Sequence, residues 1–322
     1  MIMPNERGST PVPEHSGSAK DGSSAALREA SIIQIPDAAG TLFDHGAFDP
    51  KSRRLFVAHT ARDRVEVIDC DQARHVASLP GFAETAGVVA DDGHVLVTNR
   101  GAAELAWLDA RTLASRAVFK TGPRPNGVAI VARLPLAVVA CIGDGEHGPE
   151  LQVLDLEGGR RWSAKLPGRP RWCVTDAEGA RVFLAIREPS MVWVARLPEL
   201  GEVEHWSLPA EGAHGIDIDN AGGRLYVACD EGALVELDSA SGALGRDWRL
   251  SGGPDATFFN PASGLVHVAI GDPGLVQSFN TRTGARADFA TAQGAKTTAL
   301  VPPDGLYVFS PFHQGALALV ET

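Results

Sequence analysis

Short apolar runs recur along the chain at nearly equal intervals, each closed off by turn-forming residues. One series reads LFVAHT (Leu55–Thr60), VLVTNR (Val95–Arg100), AVVACI (Ala137–Ile142), VFLAIR (Val182–Arg187), LYVACD (Leu225–Asp230), VHVAIG (Val266–Gly271) and LYVFSP (Leu306–Pro311). A second run follows each: VEVID (Val65–Asp69), LAWLD (Leu105–Asp109), LQVLD (Leu151–Asp155), VWVAR (Val192–Arg196), LVELD (Leu234–Asp238), VQSFN (Val276–Asn280) and ALALV (Ala316–Val320). Near-continuous β-branched and aromatic runs of this length predict strands buried on both faces. Five of the second runs end in Asp or Asn, residues that start tight turns by bonding their own backbone. No segment has a sustained helical period, so an α/β fold is disfavoured.

The polar positions between these runs repeat as well. Asp44, Thr85, Asn126, Arg171, His214, Asp255 and Lys296 fall one per unit, separated by 41, 41, 45, 43, 41 and 41 residues. That interval holds a four-stranded antiparallel sheet with its turns. Seven such units predict an all-β, seven-bladed β-propeller, in which equivalent positions face one central axis and these side chains form a ring. The turns near Glu84 and before Lys296 are one residue short, which leaves the register there open between two residues. The last unit ends after its third strand, and Ser31–Ile35 is a spare strand at the other end. Pairing the two closes the propeller and removes its exposed edges. The predicted organisation is a propeller over residues 31–322, preceded by a disordered tail, residues 1–30, rich in Ser, Gly, Pro and charge.

Composition narrows the function classes. Of 322 residues, 44% are hydrophobic and 21% charged, ordinary for a soluble domain with a sizeable core. The formal net charge of −11 disfavours nucleic acid and anionic membranes as partners. No apolar run of membrane-spanning length and no secretory apolar region occur. Cys70, Cys141, Cys173 and Cys229 show no CxxC or other metal spacing, and are expected to be reduced thiols of a cytoplasmic, monomeric protein.

Antiparallel strands send alternate loops to opposite ends of a blade. One end collects generic turns such as DPKSR (Asp49–Arg53) and DNAGG (Asp219–Gly223). The other collects the segments that enter the inner strands and those that join strand two to strand three. It gathers His45, His59, Arg100, Trp172, Arg187, Asp230 and Asp272 around the ring. Function tends to lie on loops held by a rigid scaffold.

Three chemistries suit this end. In the leading one it binds a small polar or anionic molecule, with Asp44, His45, His59, Arg100, Asn126, Arg171, Trp172, Arg187, Asp230 and Asp272 as contacts; arginines hold carboxylates or phosphates bidentately. In the second, His214, Asp255 and Lys296, from three successive blades, act as a coupled acid–base set of a lyase or hydrolase. In the third, a divalent metal sits on His45, His214 and Asp255; nearby Lys296 opposes this electrostatically.

The LFVAHT…VEVID and VLVTNR…LAWLD units resemble the YVTN-repeat β-propeller family in its YncE-like branch, over residues 31–322. The resemblance implies the seven-bladed fold. It implies no single function, because the family mixes binding proteins, a proposed DNA binder among them, with a few enzymes. It also implies that relatives often carry histidine where this chain has Lys296, which would leave a histidine-rich metal ring incomplete here. The streptogramin lyases are similar in size and blade number. Their catalytic His/Glu pattern has no match in this chain, so no residue role is taken from them.

Overall fold

The computed structural model describes residues 26–132, 135–310, 312 and 314–322. They form seven four-stranded antiparallel sheets, and in six of these the spatial order of strands follows the chain. The inner strands, which surround the axis, are Gly46–Asp49, Thr85–Asp91, Pro125–Ile130, Pro170–Thr175, Ala213–Asp219, Pro254–Asn260 and Thr297–Val301, belonging to blades 1 to 7 in that order. The apolar runs of the sequence occupy the two middle strands of each blade. In blade 3 every residue of Leu136–Cys141 is buried, whereas the outer strand Ser115–Lys120 of blade 2 alternates exposed and half-buried positions.

The core is a circle of interfaces between blades rather than one central mass. Leu136, Val138, Leu151 and Val153 of blade 3, for example, share a cluster with Val182, Leu184 and Trp193 of blade 4. Each such side chain contributes roughly 1.5–3 kcal/mol by leaving water. The inner strands approach one another closely at one end of the axis, and glycine permits it. A Cβ on Gly127 would lie 2.4 Å from the Arg171 carbonyl oxygen, and one on Gly215 would lie 2.4 Å from Thr257 Oγ1. This is the physical reason that glycine follows Asn126 and His214 in the sequence.

The last blade closes as the sequence predicts. Leu27–Gln34 pairs antiparallel with Gly315–Glu321, from Leu27 opposite Glu321 to Gln34 opposite Gly315, with an irregularity between Glu29 and Ser31. The strand begins at Leu27 rather than Ser31, so residues 27–30 belong to the propeller. Leu27 is buried against Val276 and Leu317, and this apolar contact carries the strand beyond its expected start. The remainder of the predicted tail, residues 1–25, lies outside the described residues. Glu321, on the closing strand, accepts hydrogen bonds from Asn260 of blade 6 (2.6 Å) and contacts His267 Nε2 (2.7 Å), which ties blade 7 to blade 6. All four cysteines are free thiols, three of them buried. Among the described residues no helix is long and apolar enough to cross a membrane.

Candidate functional site

Six of the seven ring positions, Asp44, Asn126, Arg171, His214, Asp255 and Lys296, line one cavity of about 270 Å3 at the end of the axis where the inner strands begin. His45, Thr60, Arg100, Arg124, Ile142, Arg169, Trp172 and Thr257 complete most of its wall. Each ring residue stands within two residues of the start of its inner strand: Asn126, Arg171, His214 and Asp255 are second in theirs, and Asp44 and Lys296 come just before theirs.

Thr85 departs from the ring. It is fully buried, and its hydroxyl donates to the Thr98 carbonyl at 3.4 Å. It pairs with Asn99 as Pro125 pairs with Cys141, so the turn before it is of ordinary length and the ring position of blade 2 falls one residue later, on Ala86. Arg100, from the loop after strand two, lines the cavity and pairs with Asp44.

Charges are sorted around the wall. On blades 5 to 7 they are paired. His214 Nδ1 lies 2.7 Å from Asp230 Oδ1, and its Nε2 lies 3.3 Å from Asp255 Oδ1. Lys296 Nζ lies 3.2 Å from Asp255 Oδ2, and Arg187 Nε donates to Asp230 at 2.7 Å. Burial alone would push the His214 imidazole toward the neutral form, but the Asp230 and Asp255 carboxylates outweigh it and hold the ring above its usual range. Burial likewise opposes ionisation of Asp255, yet His214 and Lys296 lower its carboxyl to about 2. Asp44 goes the other way: burial raises it despite Arg100.

Blades 3 and 4 carry the opposite arrangement. Arg124, Arg169 and Arg171 line the cavity and, among the described residues, none has a carboxylate within ion-pair distance. The nearest polar side-chain contact of Arg171 is His214 Nδ1, 3.2 Å from its terminal nitrogen, and its buried Nε has no partner. Arg124 holds a left-handed backbone, φ 54°, a conformation that disfavours side chains other than glycine and asparagine. It is pinned there by the Ile142 N–H, which donates to its carbonyl at 3.1 Å. The cavity thus presents five permanent cations, Arg100, Arg124, Arg169, Arg171 and Lys296, against two carboxylates, Asp44 and Asp255.

The floor is aromatic. His45 of blade 1 stacks on Trp172 of blade 4, with ring centroids 3.5 Å apart, and meets Phe258 of blade 6 at 5.4 Å. Its Nδ1 lies 3.1 Å from the Val88 carbonyl oxygen of blade 2. A carbonyl only accepts, so Nδ1 carries the proton and Nε2 keeps a lone pair. Burial lowers the His45 imidazole to about 4, so the ring is neutral at physiological pH.

Other expected contacts lie elsewhere. His59 is fully buried, drawn inward by Glu66 Oε1 at 2.7 Å and Thr41 Oγ1 at 2.7 Å, and does not reach the cavity. Asp272 is exposed in its turn, with only the Gln293 amide at 3.5 Å. Arg187 and Asp230 do not line the cavity; Asp230 contacts His214, and Arg187 in turn pairs with Asp230. For a metal the donor set fits poorly: His214 and Asp255 are bonded to each other, and His45 is held in the aromatic stack. Among the described residues no three His, Cys, Asp or Glu side chains are grouped to hold an ion.

Arg124 and Arg169 were outside the expected contact set. A signal for them exists in the sequence: each stands two residues before a ring position and is followed by proline, Arg124-Pro125-Asn126 and Arg169-Pro170-Arg171, in consecutive units.

No protein-family model matches the sequence, and no curated protein matches it. Among solved structures, the chain is similar to one titled "Streptogramin B lyase structure", at 11% identity and a TM-score of 0.75, covering 92% of this chain and 97% of that one. It is also similar to the Kuenenia stuttgartiensis hydrazine synthase, at 14% identity and a TM-score of 0.74, covering 91% of this chain and 98% of that one. At such identities these likenesses establish the seven-bladed fold and nothing finer.

Proposed function

We propose that the end of the axis binds a small organic anion. The observation that carries this reading is the group of three arginines on blades 3 and 4, which line a cavity without carboxylate partners in a chain of net charge −11. A guanidinium stays protonated even when burial disfavours its charge, as at Arg171. Arg124 and Arg169 are exposed at the cavity mouth and Arg171 is half-buried, so all three can turn their planar forks to a carboxylate or phosphate entering from solvent. The acidic overall charge speaks against nucleic acid as that anion. The free thiols fit a cytoplasmic setting, and a monomer is the simplest assembly for a closed propeller.

A second reading is favoured by the chain of contacts Asp230–His214–Asp255–Lys296. On a bound anion these groups would supply acid–base chemistry of the lyase or hydrolase kind, and one of the proteins that shares the fold is titled a lyase. With two carboxylates on its ring, His214 would serve as the acid that donates a proton rather than as the base.

Thermal-shift measurements test the leading reading. Millimolar malate raises the melting temperature above that in sodium chloride of equal ionic strength, because a native-state ligand stabilises by mass action. Arg171→Glu removes the rise. An equal rise in both proteins would place the anion site elsewhere.

A further inference from the structure

The cavity holds hydrogen-bond acceptors beside its guanidiniums, and a simple anion leaves them unmet. His45 Nε2 is one: the Val88 carbonyl fixes the ring proton on Nδ1, and Nε2 lines the cavity with no protein partner. The His45 side chain is half-buried rather than enclosed, at the cavity wall. Asp44 is another; Arg100 takes its Oδ2 and leaves Oδ1 without a protein partner. Both acceptors line the same cavity as the three arginines.

A sulfate or a doubly ionised phosphate monoester group offers acceptors alone and would set lone pair against lone pair at His45 Nε2. The P–OH of inorganic phosphate could donate there, and so the hydroxyl class is tested against carboxylates that differ only in that group. A ligand ammonium would donate there but would meet five fixed cations in the same small space. A hydroxyl donates without adding positive charge.

We infer that the anion is a hydroxycarboxylate, its carboxylate held by Arg124, Arg169 and Arg171 and its hydroxyl donating to His45 Nε2. This rests on the anion-binding reading and gives it a substrate class. A site built to receive a hydroxyl discriminates against the analogue that lacks it, because its polar groups are then left unpaired.

Isothermal titration of the full-length protein with malate and with succinate, which differ by one hydroxyl, tests the inference. The better malate enantiomer binds about fivefold or more tightly than succinate, the worth of one net hydrogen bond. In His45→Phe, which retains a ring for the stack on Trp172, the malate-to-succinate ratio falls to near one. The wild-type ratio needs no variant, so the test stands even where His45→Phe fails to fold. Equal wild-type affinities, or a malate advantage that persists in His45→Phe, would overturn the hydroxyl assignment. If both acids bind equally and Arg171→Glu abolishes both, the anion site stands and the hydroxycarboxylate assignment alone falls. If neither acid binds, both readings fall together.

Discussion

His45 and Trp172 belong to blades 1 and 4, which share no edge, yet their rings stack with centroids 3.5 Å apart and an interplanar angle of 20°. The contact crosses the axis. It gives the cavity an aromatic floor and makes a stability element of two residues that also line a site. Trp172→Ala is expected to destabilise the fold by about 3 kcal/mol, the usual cost of emptying a large aromatic position, while Trp172→Phe retains most of that. Urea denaturation followed by circular dichroism checks this; an unchanged midpoint in the alanine variant would show that the stack contributes nothing.

His214 bridges Asp230 and Asp255, so its removal touches stability as well as any chemistry. Its folded-state affinity for a proton is raised. The stabilisation from this bridge is therefore fully present below the unfolded histidine pKa of about 6.5, and is lost as pH rises through the higher folded value. His214→Ala should cost about 2 kcal/mol at pH 6, the worth of charge-assisted hydrogen bonds. The gap to the native protein should narrow at alkaline pH. Denaturation at several pH values measures it, and a gap that widens with pH would contradict the bridge.

Asp217, on the inner strand of blade 5, accepts the Phe259 and Ile218 N–H groups, each at 2.8 Å, and has no cation beside it. Burial raises its carboxyl to about 6. The folded protein then binds more protons than the unfolded chain between about pH 4 and pH 6, so this group lowers stability as pH rises through that window and leaves it lowered above. Asp217→Asn removes this titration but turns an NH2 toward one of the two N–H donors, so it loses a hydrogen bond at every pH. Relative to the native protein, its stability should therefore rise by roughly 3 kcal/mol between pH 4 and pH 7. Melting temperatures at the two pH values decide, and a difference that does not change with pH would show that Asp217 does not titrate in that window.

The closing seam tolerates little added bulk. A Cβ on Gly315 would lie 2.0 Å from the Ile33 carbonyl oxygen, in the pair that joins the two ends of the chain. Gly315→Ala should destabilise by about 2–3 kcal/mol, as overpacking does. A melting temperature equal to that of the native protein would mean that the seam shifts without cost.

Acid sensitivity should centre on Glu66. This buried carboxylate meets His59, His75, Ser78 and Arg64. Burial opposes its charge, but those four groups outweigh burial and hold it well below the usual carboxylate range. Its contribution is present above the unfolded glutamate pKa of about 4.3 and is lost as pH falls below it. Glu66→Ala should cost about 3–5 kcal/mol at neutral pH, the cost of breaking a buried charge network, and markedly less in acid. Chemical denaturation at pH 7 and pH 3 provides the check.

The repeat was legible because it is local. Burial on both faces requires apolar runs such as Leu55–Thr60, and tight turns require Asp, Asn and Gly at their corners, so blade number, strand order and the closure by the N-terminal strand could all be read along the chain. The period also placed six ring residues at one end, since equivalent positions in a closed propeller meet at its axis. What a side chain does there depends on neighbours from other blades, and linear spacing does not record them. Thr85 and His59 carry suitable chemistry, yet Thr85 falls one residue short of the ring position, which Ala86 takes, and His59 is drawn inward by Glu66. Arg124 and Arg169 are exposed side chains, and only the fold shows that both line the cavity with no carboxylate at ion-pair distance. The proton on His45 was decided by the Val88 carbonyl of another blade. Local pattern was enough for the propeller and the ring, but which charges cancel and which stand unpaired depends on distances between strands some forty residues apart, and those exist only in the folded chain.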